Sequence, residues 1–419
     1  GPEISQTEFG WGTGIFGAGA YGVGDQVTGV TREAQIWSLD NFGENLLASV
    51  VGGPLYIWRQ DSGPTTRATV IDNAPDSIQR MMVSTQARHI VALGSGPGSS
   101  MNNAGRDALL IRWASSESTT DWVSTETNSA GDLRLDSGSR IITGVKSRGE
   151  IIVFTDESLH ALQYIGAPLY FTLRHLGRSV RIIGPNAAVD VNGIVYFMGV
   201  DDFLMYDGVL KPIECPVQNH VFENFSFAEG AQVFACVNKK NTEVWWLYCS
   251  SSATSPDRYV KYNYTEQAWD FGTMQRTAMH DESQMFEYPY AANGGLIYLH
   301  DNGVDEGEEH GKTYAQISYL ETWDMDVSAG RSMMHVATMI PDFKVLTGDV
   351  RFRLSGRGYP QRTRIDDNST FLITSATEKV STRFRTRQIA FRITSQTVGD
   401  DWRMGTWLAE AVPHGRRGQ

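Results

Sequence analysis

The sequence predicts an all-β protein: a β-propeller of about six blades followed by a C-terminal β-sandwich-like domain. Three observations carry that expectation. Apolar runs are short and bounded by turn residues, as in Leu46–Val51 before Gly52-Gly53-Pro54. Glycine makes up 42 of 419 residues alongside 18 Phe, 16 Tyr and 11 Trp, a mixture that suits pleated strands joined by tight turns. Strand-turn-strand modules also recur, with central strands near 48, 90, 152, 196, 246 and 297. That spacing matches blades of roughly 40–50 residues.

The modules can be followed in order. Ala34–Leu39, Leu46–Val51 and Leu55–Trp58 form the first meander. Ile78–Met82, Ala87–Leu93 and Leu109–Trp113 form the second, which carries long loops at 94–105 and 115–129. The third is Ile141–Val145, Glu150–Phe154 and Ser158–Leu162. In the fourth, Asn192-Gly193 and Asp207-Gly208 flank strand residues as hairpin signals. Gln232–Cys236, Glu243–Tyr248 and Arg258–Asn263 make the fifth, and Gly295–Leu299 belongs to the sixth. The reading divides the chain into a Gly/aromatic arm at 1–29, the propeller at 30–300, an acidic linker at 301–314, the sandwich-like domain at 315–412 and a basic tail at 413–419.

The arm contains GxGxxG twice, at Gly12/Gly14/Gly17 and Gly17/Gly19/Gly22. Its glycines run on too long for the strand-then-helix setting of a dinucleotide site. The expectation is an extended segment whose Trp11, Phe16 and Tyr21 pin it to a neighbour. The start at Gly1 has no Met or apolar leader, as in a cleavage product or the later part of a longer chain.

Formal net charge is −12. It is unevenly spread: residues 351–419 hold 12 Arg and one Lys against six acids, a net of +7, leaving −19 before them. Strict alternation in Arg351-Phe-Arg353 and Arg383-Phe-Arg385, with Arg387 and Arg392 nearby, predicts an arginine face opposite an apolar one. Three roles compete for it: a solvated face, pairing with the acidic body of an adjacent subunit, and contact with phosphates.

Enzymatic signals are missing. No GxSxG, HExxH or GxxxxGK[ST] pattern occurs, and Cys215, Cys236 and Cys249 lack a CxxC pair. The acidic stretch Asp301–His310 fails the EF-hand spacing. His160 lies in an apolar strand and is read as a packed residue. The expectation is a non-enzyme with no catalytic residues, metal or cofactor, and no apolar run long enough to span a membrane.

Gly10–Gly24, Ile151–Leu159 followed by Gly166, Val195–Gly199 with Tyr206-Asp-Gly208, and the ending Arg383–Gln388…Trp402–Gly405…His414–Arg417 together resemble the tail nozzle, or packaged-DNA stabilisation, proteins of short-tailed bacteriophages. The resemblance implies a virion protein in the phage tail, a ring of six copies contacting adaptor and fibre proteins, and a channel through which genomic DNA passes without sequence-specific binding. Trp11, Phe16, Tyr21, Arg351, Arg353, Arg383, Arg385 and Arg387 are the interface residues expected from the sequence. The alternatives are a glycan-binding or glycan-cleaving propeller, and a non-viral propeller scaffold.

Overall fold

The computed structural model describes residues 8–10, 25–27, 36–96, 107–283, 285–306, 308–309, 312–326 and 332–413. The chain divides into two compact units, Gly1–His300 and Asp301–Gln419.

In the first unit, six antiparallel meanders follow one another along the chain. The first sheet contains Trp37–Phe42, Asn45–Val50, Leu55–Trp58 and Thr69–Val70. The second contains Arg80–Val83, Ile90–Leu93, Leu110–Trp113 and Gly131–Arg134. Ile141–Ser147, Glu150–Thr155, Ser158–Gly166 and Tyr170–Arg178 form the third. The fourth is Ala188–Val191, Ile194–Met198, Phe203–Tyr206 and Leu210–Pro212, and the fifth is Phe234–Asn238, Glu243–Tyr248, Arg258–Asn263 and Ala268–Thr273. The sixth has three strands: Ala278–His280, Tyr290–Asn293 and Leu296–Leu299. A short helix, Gln218–Glu223, lies between the fourth and fifth.

Consecutive sheets are held by apolar clusters rather than by shared ladders. Phe42, Leu47 and Ile57 of the first sheet pack with Met81, Ile90 and Ala92 of the second. Val91 and Ile111 of the second meet Ile151 and Val153 of the third. A larger cluster joins the third, fourth and fifth through Phe154, Phe197, Phe203 and Trp246. Within it, Trp246 donates its indole N–H to the Ala187 carbonyl at 3.1 Å, satisfying the polar atom that its burial would otherwise strand. Gly144 sets the approach of the third sheet to the second. A Cβ there would come within 2.5 Å of Leu93 Cδ1 and 2.8 Å of Met82 Cε.

Polar groups on the opening strands also tie the sheets together. Asp40 Oδ2 of the first sheet accepts from the Val83 backbone N–H of the second and from Lys146 Nζ of the third, both at 2.7 Å. Arg80 Nη1 donates to Asn186 Oδ1 at 2.6 Å. Burial pushes the Arg80 pKa down, and the charge of Asp40 works against that shift.

The second unit carries a five-stranded sheet, in which Ser318–Glu321, Gln388–Ser395, Asp349–Arg357 and Ile365–Thr374 lie side by side and Met325–Asp326 also pairs with Gln388–Ser395. A three-stranded sheet orders Val380–Thr386, Met334–Ile340 and Leu408–Pro413. Phe352, Leu354 and Ile393 of the larger sheet share one core with Met334, Val336 and Phe384 of the smaller. Trp407 stacks on Phe352 and Phe391 with ring centroids 4.9 and 5.5 Å apart.

The expected six-bladed propeller with an appended β-sandwich-like domain is corrected here. The chain is all-β apart from short helical turns, but it is organised as small, discrete antiparallel sheets, none curled or closed on itself. No core cluster joins the sixth sheet back to the first among the described residues. Closure requires a long-range contact between first and last elements, and a local repeat does not encode one.

Cys215, Cys236 and Cys249 are unpaired and buried. Burial raises all three thiols, Cys215 to about 11 and Cys249 to about 12. The thiolate is the reactive form. The native protein at pH 8 is therefore expected to resist a thiol-reactive chromophore, with three equivalents reacting once denaturant is added. Fast labelling of the native protein would contradict this packing.

Candidate functional site

The sequence-predicted arginines fall on separate surfaces. Along Asp349–Arg357, Val350, Phe352 and Leu354 point into the core while Arg351 and Arg353 are exposed. Along Val380–Thr386, Thr382, Phe384 and Thr386 are buried while Arg383 and Arg385 are exposed. Because the two sheets turn their apolar faces to one core, these arginine pairs lie on opposite outer faces. Arg387 joins neither pair. It sits between the strands, 4.9 Å over the Tyr359 ring.

Register defines the first of these faces. Arg353 lies directly opposite Arg392 on one side and Thr370 on the other, and Arg392 lies opposite Glu321. Arg351 is flanked by Thr394 and Leu372. Arg392 Nη1 stands 3.5 Å from Glu321 Oε2, with its guanidinium 4.1 Å from the centre of the Tyr319 ring. Arg351 Nη1 donates to Gln396 Oε1 at 3.0 Å. Glu321 is also bonded to Arg364, whose Nε reaches Asp324 Oδ1 at 3.1 Å, and Asp324 pairs with Arg357 at 3.3 Å. Burial disfavours the charged form of Arg364, but the Glu321 hydrogen bond and the Asp324 charge outweigh it and raise its pKa.

This arrangement alters the expected charge polarity. Residues 301–350 hold ten acids and three bases, and they fold in the same unit as the +7 stretch. The second unit thus has 16 Lys and Arg against 16 Asp and Glu, and the whole −12 belongs to the first. Trp11, Phe16 and Tyr21 lie outside the described residues.

A cleft of about 760 Å³ lies beside the third and fourth sheets, lined by Ser137, Glu157, Arg178, Arg181, Asp201 and Asp202 among others. Burial raises the Asp202 carboxyl, Asp201 adds to the rise, and Arg181 opposes it. Behind the cleft, His160 Nε2 lies 3.0 Å from Ser137 Oγ and 2.9 Å from Ser158 Oγ. Ser158 N–H in turn donates to Thr155 Oγ1 at 2.8 Å. Ser158 and His160 are buried, so the network braces the turn between two strands of the third sheet.

The two ends of the six-sheet series present a different kind of surface. The first sheet turns Leu47, Leu55 and Ile57 toward the second, but its strands are apolar on both faces. Its outer face carries Trp37, Leu39, Ala48, Tyr56, Trp58 and Val70, with Leu39 62% and Trp37 52% exposed. In the sixth sheet, Met279 packs against the fifth while Ile297, 75% exposed, and Leu299 face outward beside Tyr290 and Phe286. Apolar patches of this kind mark contact surfaces.

No protein-family model matches the chain, and no curated protein matches it. Among solved structures, that of BamB from Moraxella catarrhalis is similar over 67% of this chain and 76% of the other, at 11% identity and a TM-score of 0.35. The expected kinship with phage tail nozzles is corrected: no family model or curated protein of that kind matches, and the closed propeller that the kinship requires is not formed. The assignments to a virion, a phage tail and DNA ejection go with it, as does the glycan-binding propeller. No group of three or more metal-ligating side chains is found among the described residues, and no helix there is long and apolar enough to cross a membrane.

Sequence reasoning missed the end faces, although a signal was present. Leu46–Val51 is a nearly continuous apolar run, the mark of a strand meant to be covered on both sides.

The histidines give a pH test. Burial pushes His160 down, reinforced by His175 and partly opposed by Asp136. Burial also pushes His89 down, against its bond to the Ala114 carbonyl. Below the usual histidine value of 6.5 the unfolded chain binds protons that the folded one does not, so stability is lost as pH falls through this range. Urea midpoints are expected to drop from pH 8 to pH 5.5, and the drop should shrink in His160→Gln. An identical drop in that variant would remove His160 from the account.

Proposed function

We propose that this protein is a non-catalytic structural component that works as a homo-oligomer, its copies joined head to tail. The first-sheet outer face of one copy packs on the sixth-sheet outer face of the next. The observation that carries this reading is that both ends of one series of packed sheets are apolar and, among the described residues, uncovered. The two faces differ from each other, so the contact is heterologous and builds a ring or an open filament. Sheets packed face to face bury such side chains in a layer about 10 Å thick. The supporting unit carries the full −12, so copies repel electrostatically and the contact depends on apolar burial. Association through arginine-carboxylate pairs would instead weaken as salt is added.

Sedimentation velocity tests this. The particle mass should rise with protein concentration and hold or rise further at high salt. Leu39→Lys and Ile297→Lys each block one face at an exposed position, so each variant should be a folded monomer. Their equimolar mixture retains one good contact and should give dimers and nothing larger. A wild-type monomer at every concentration, or loss of assembly on raising salt, would refute the proposal.

A further inference from the structure

We infer that the cleft beside the third and fourth sheets binds a small zwitterion, taking its carboxylate on Arg178 and Arg181 and its ammonium on Asp201 and Asp202. The cleft's volume of about 760 Å³ falls in the range of small-molecule sites. Its charges come from two turns and a connection that the backbone stitches together. The end of Tyr170–Arg178 and the residues just after it carry the two arginines. On one side of this connection, the Val180 N–H donates to the carbonyl of Glu157, a turn residue, at 3.1 Å. On the other, Ile182 bridges to Gly199, where the turn that carries Asp201 and Asp202 begins. The arginines therefore lie between Glu157 and the two aspartates.

The backbone under these groups is fixed, which limits the ordering cost of binding. The Asp201 carbonyl accepts from Gln218 Nε2 at 2.6 Å, and the Gly199 N–H donates to the Asp202 carbonyl at 2.8 Å. Gly199 also leaves room for the Asp202 carboxylate, since a Cβ there would collide with Oδ1. Among the described residues, neither arginine is bridged to Glu157, Asp201 or Asp202. Arg181 acts on Asp202 through its charge, but burial and Asp201 outweigh it, so the carboxyl still gains from an ammonium beside it. A ligand of one sign would meet like charge on a neighbouring group. A zwitterion matches both signs and receives charge-assisted hydrogen bonds at each end. Ser137, half-buried and fixed by His160 Nε2, adds a hydroxyl to the same lining. The inference is independent of how copies associate, because these residues belong to neither end face of the series.

The test is calorimetric titration of the full chain with glycine and, separately, triglycine, at fixed ionic strength. Saturable binding is expected, with affinity about tenfold weaker in Arg181→Gln and in Asp202→Asn. Capping the probes repeats the test without altering the protein. Amidation of the probe carboxylate should cost as much as Arg181→Gln, and N-acetylation as much as Asp202→Asn. The acetylated probe should bind Asp202→Asn and wild type alike, which a merely misfolded variant would not do. Tighter binding of triglycine assigns the site to peptides, and tighter binding of glycine assigns it to free amino acids. Absence of saturable binding by either probe, equal affinity for capped and free probes, or unchanged affinity in Arg181→Gln would overturn the inference.

Discussion

The first unit depends on one constraint: each sheet must present an apolar face to the sheet before it and another to the sheet after it. A four-stranded meander alone buries too little to be stable, so the unit exists through its inter-sheet clusters. The central strands show how this is met, with Ile152 and Phe154 facing one neighbour while Ile151 and Val153 face the other. Polar groups are admitted where several sheets share them. Asp40 serves three sheets at once, matching its charge with Lys146 and its lone pairs with the Val83 amide.

The second unit follows another logic. One core serves two sheets, and their outer faces are free to be polar. Its basic stretch and its acidic stretch are neighbours in the fold, so a polarity that is obvious along the chain is largely cancelled in space. Glu321 and Asp324 illustrate this, each holding arginines that arrive from later strands.

Much of the local structure was legible. The central strands lie where apolar runs and turn residues placed them, down to the Asn192-Gly193 hairpin with both residues at positive φ. The chain divides into its two units near residue 300, where strand length and charge change together. Outer strands such as Gly131–Arg134 and Leu210–Pro212 were not legible, since edge strands are short and half exposed and leave a faint pattern. Period two correctly sent Arg351 and Arg383 outward, yet it could not tell that they leave by opposite faces. That depends on which sheets the strands join, a pairing between residues far apart in the chain. The same limit explains the propeller: repetition specifies neighbours, and closure is a relation between ends.

A series with two bare ends also has an uneven internal stability. The third, fourth and fifth sheets share the largest apolar cluster, whereas the first and sixth are each supported from one side. Opening therefore costs least at the extremities and most in the middle, as in a linear array governed by nearest-neighbour coupling. Amide protons of Val195–Met198 should then outlast those of Leu296–Leu299 in deuterated water, and any partner that caps an end would slow exchange there first.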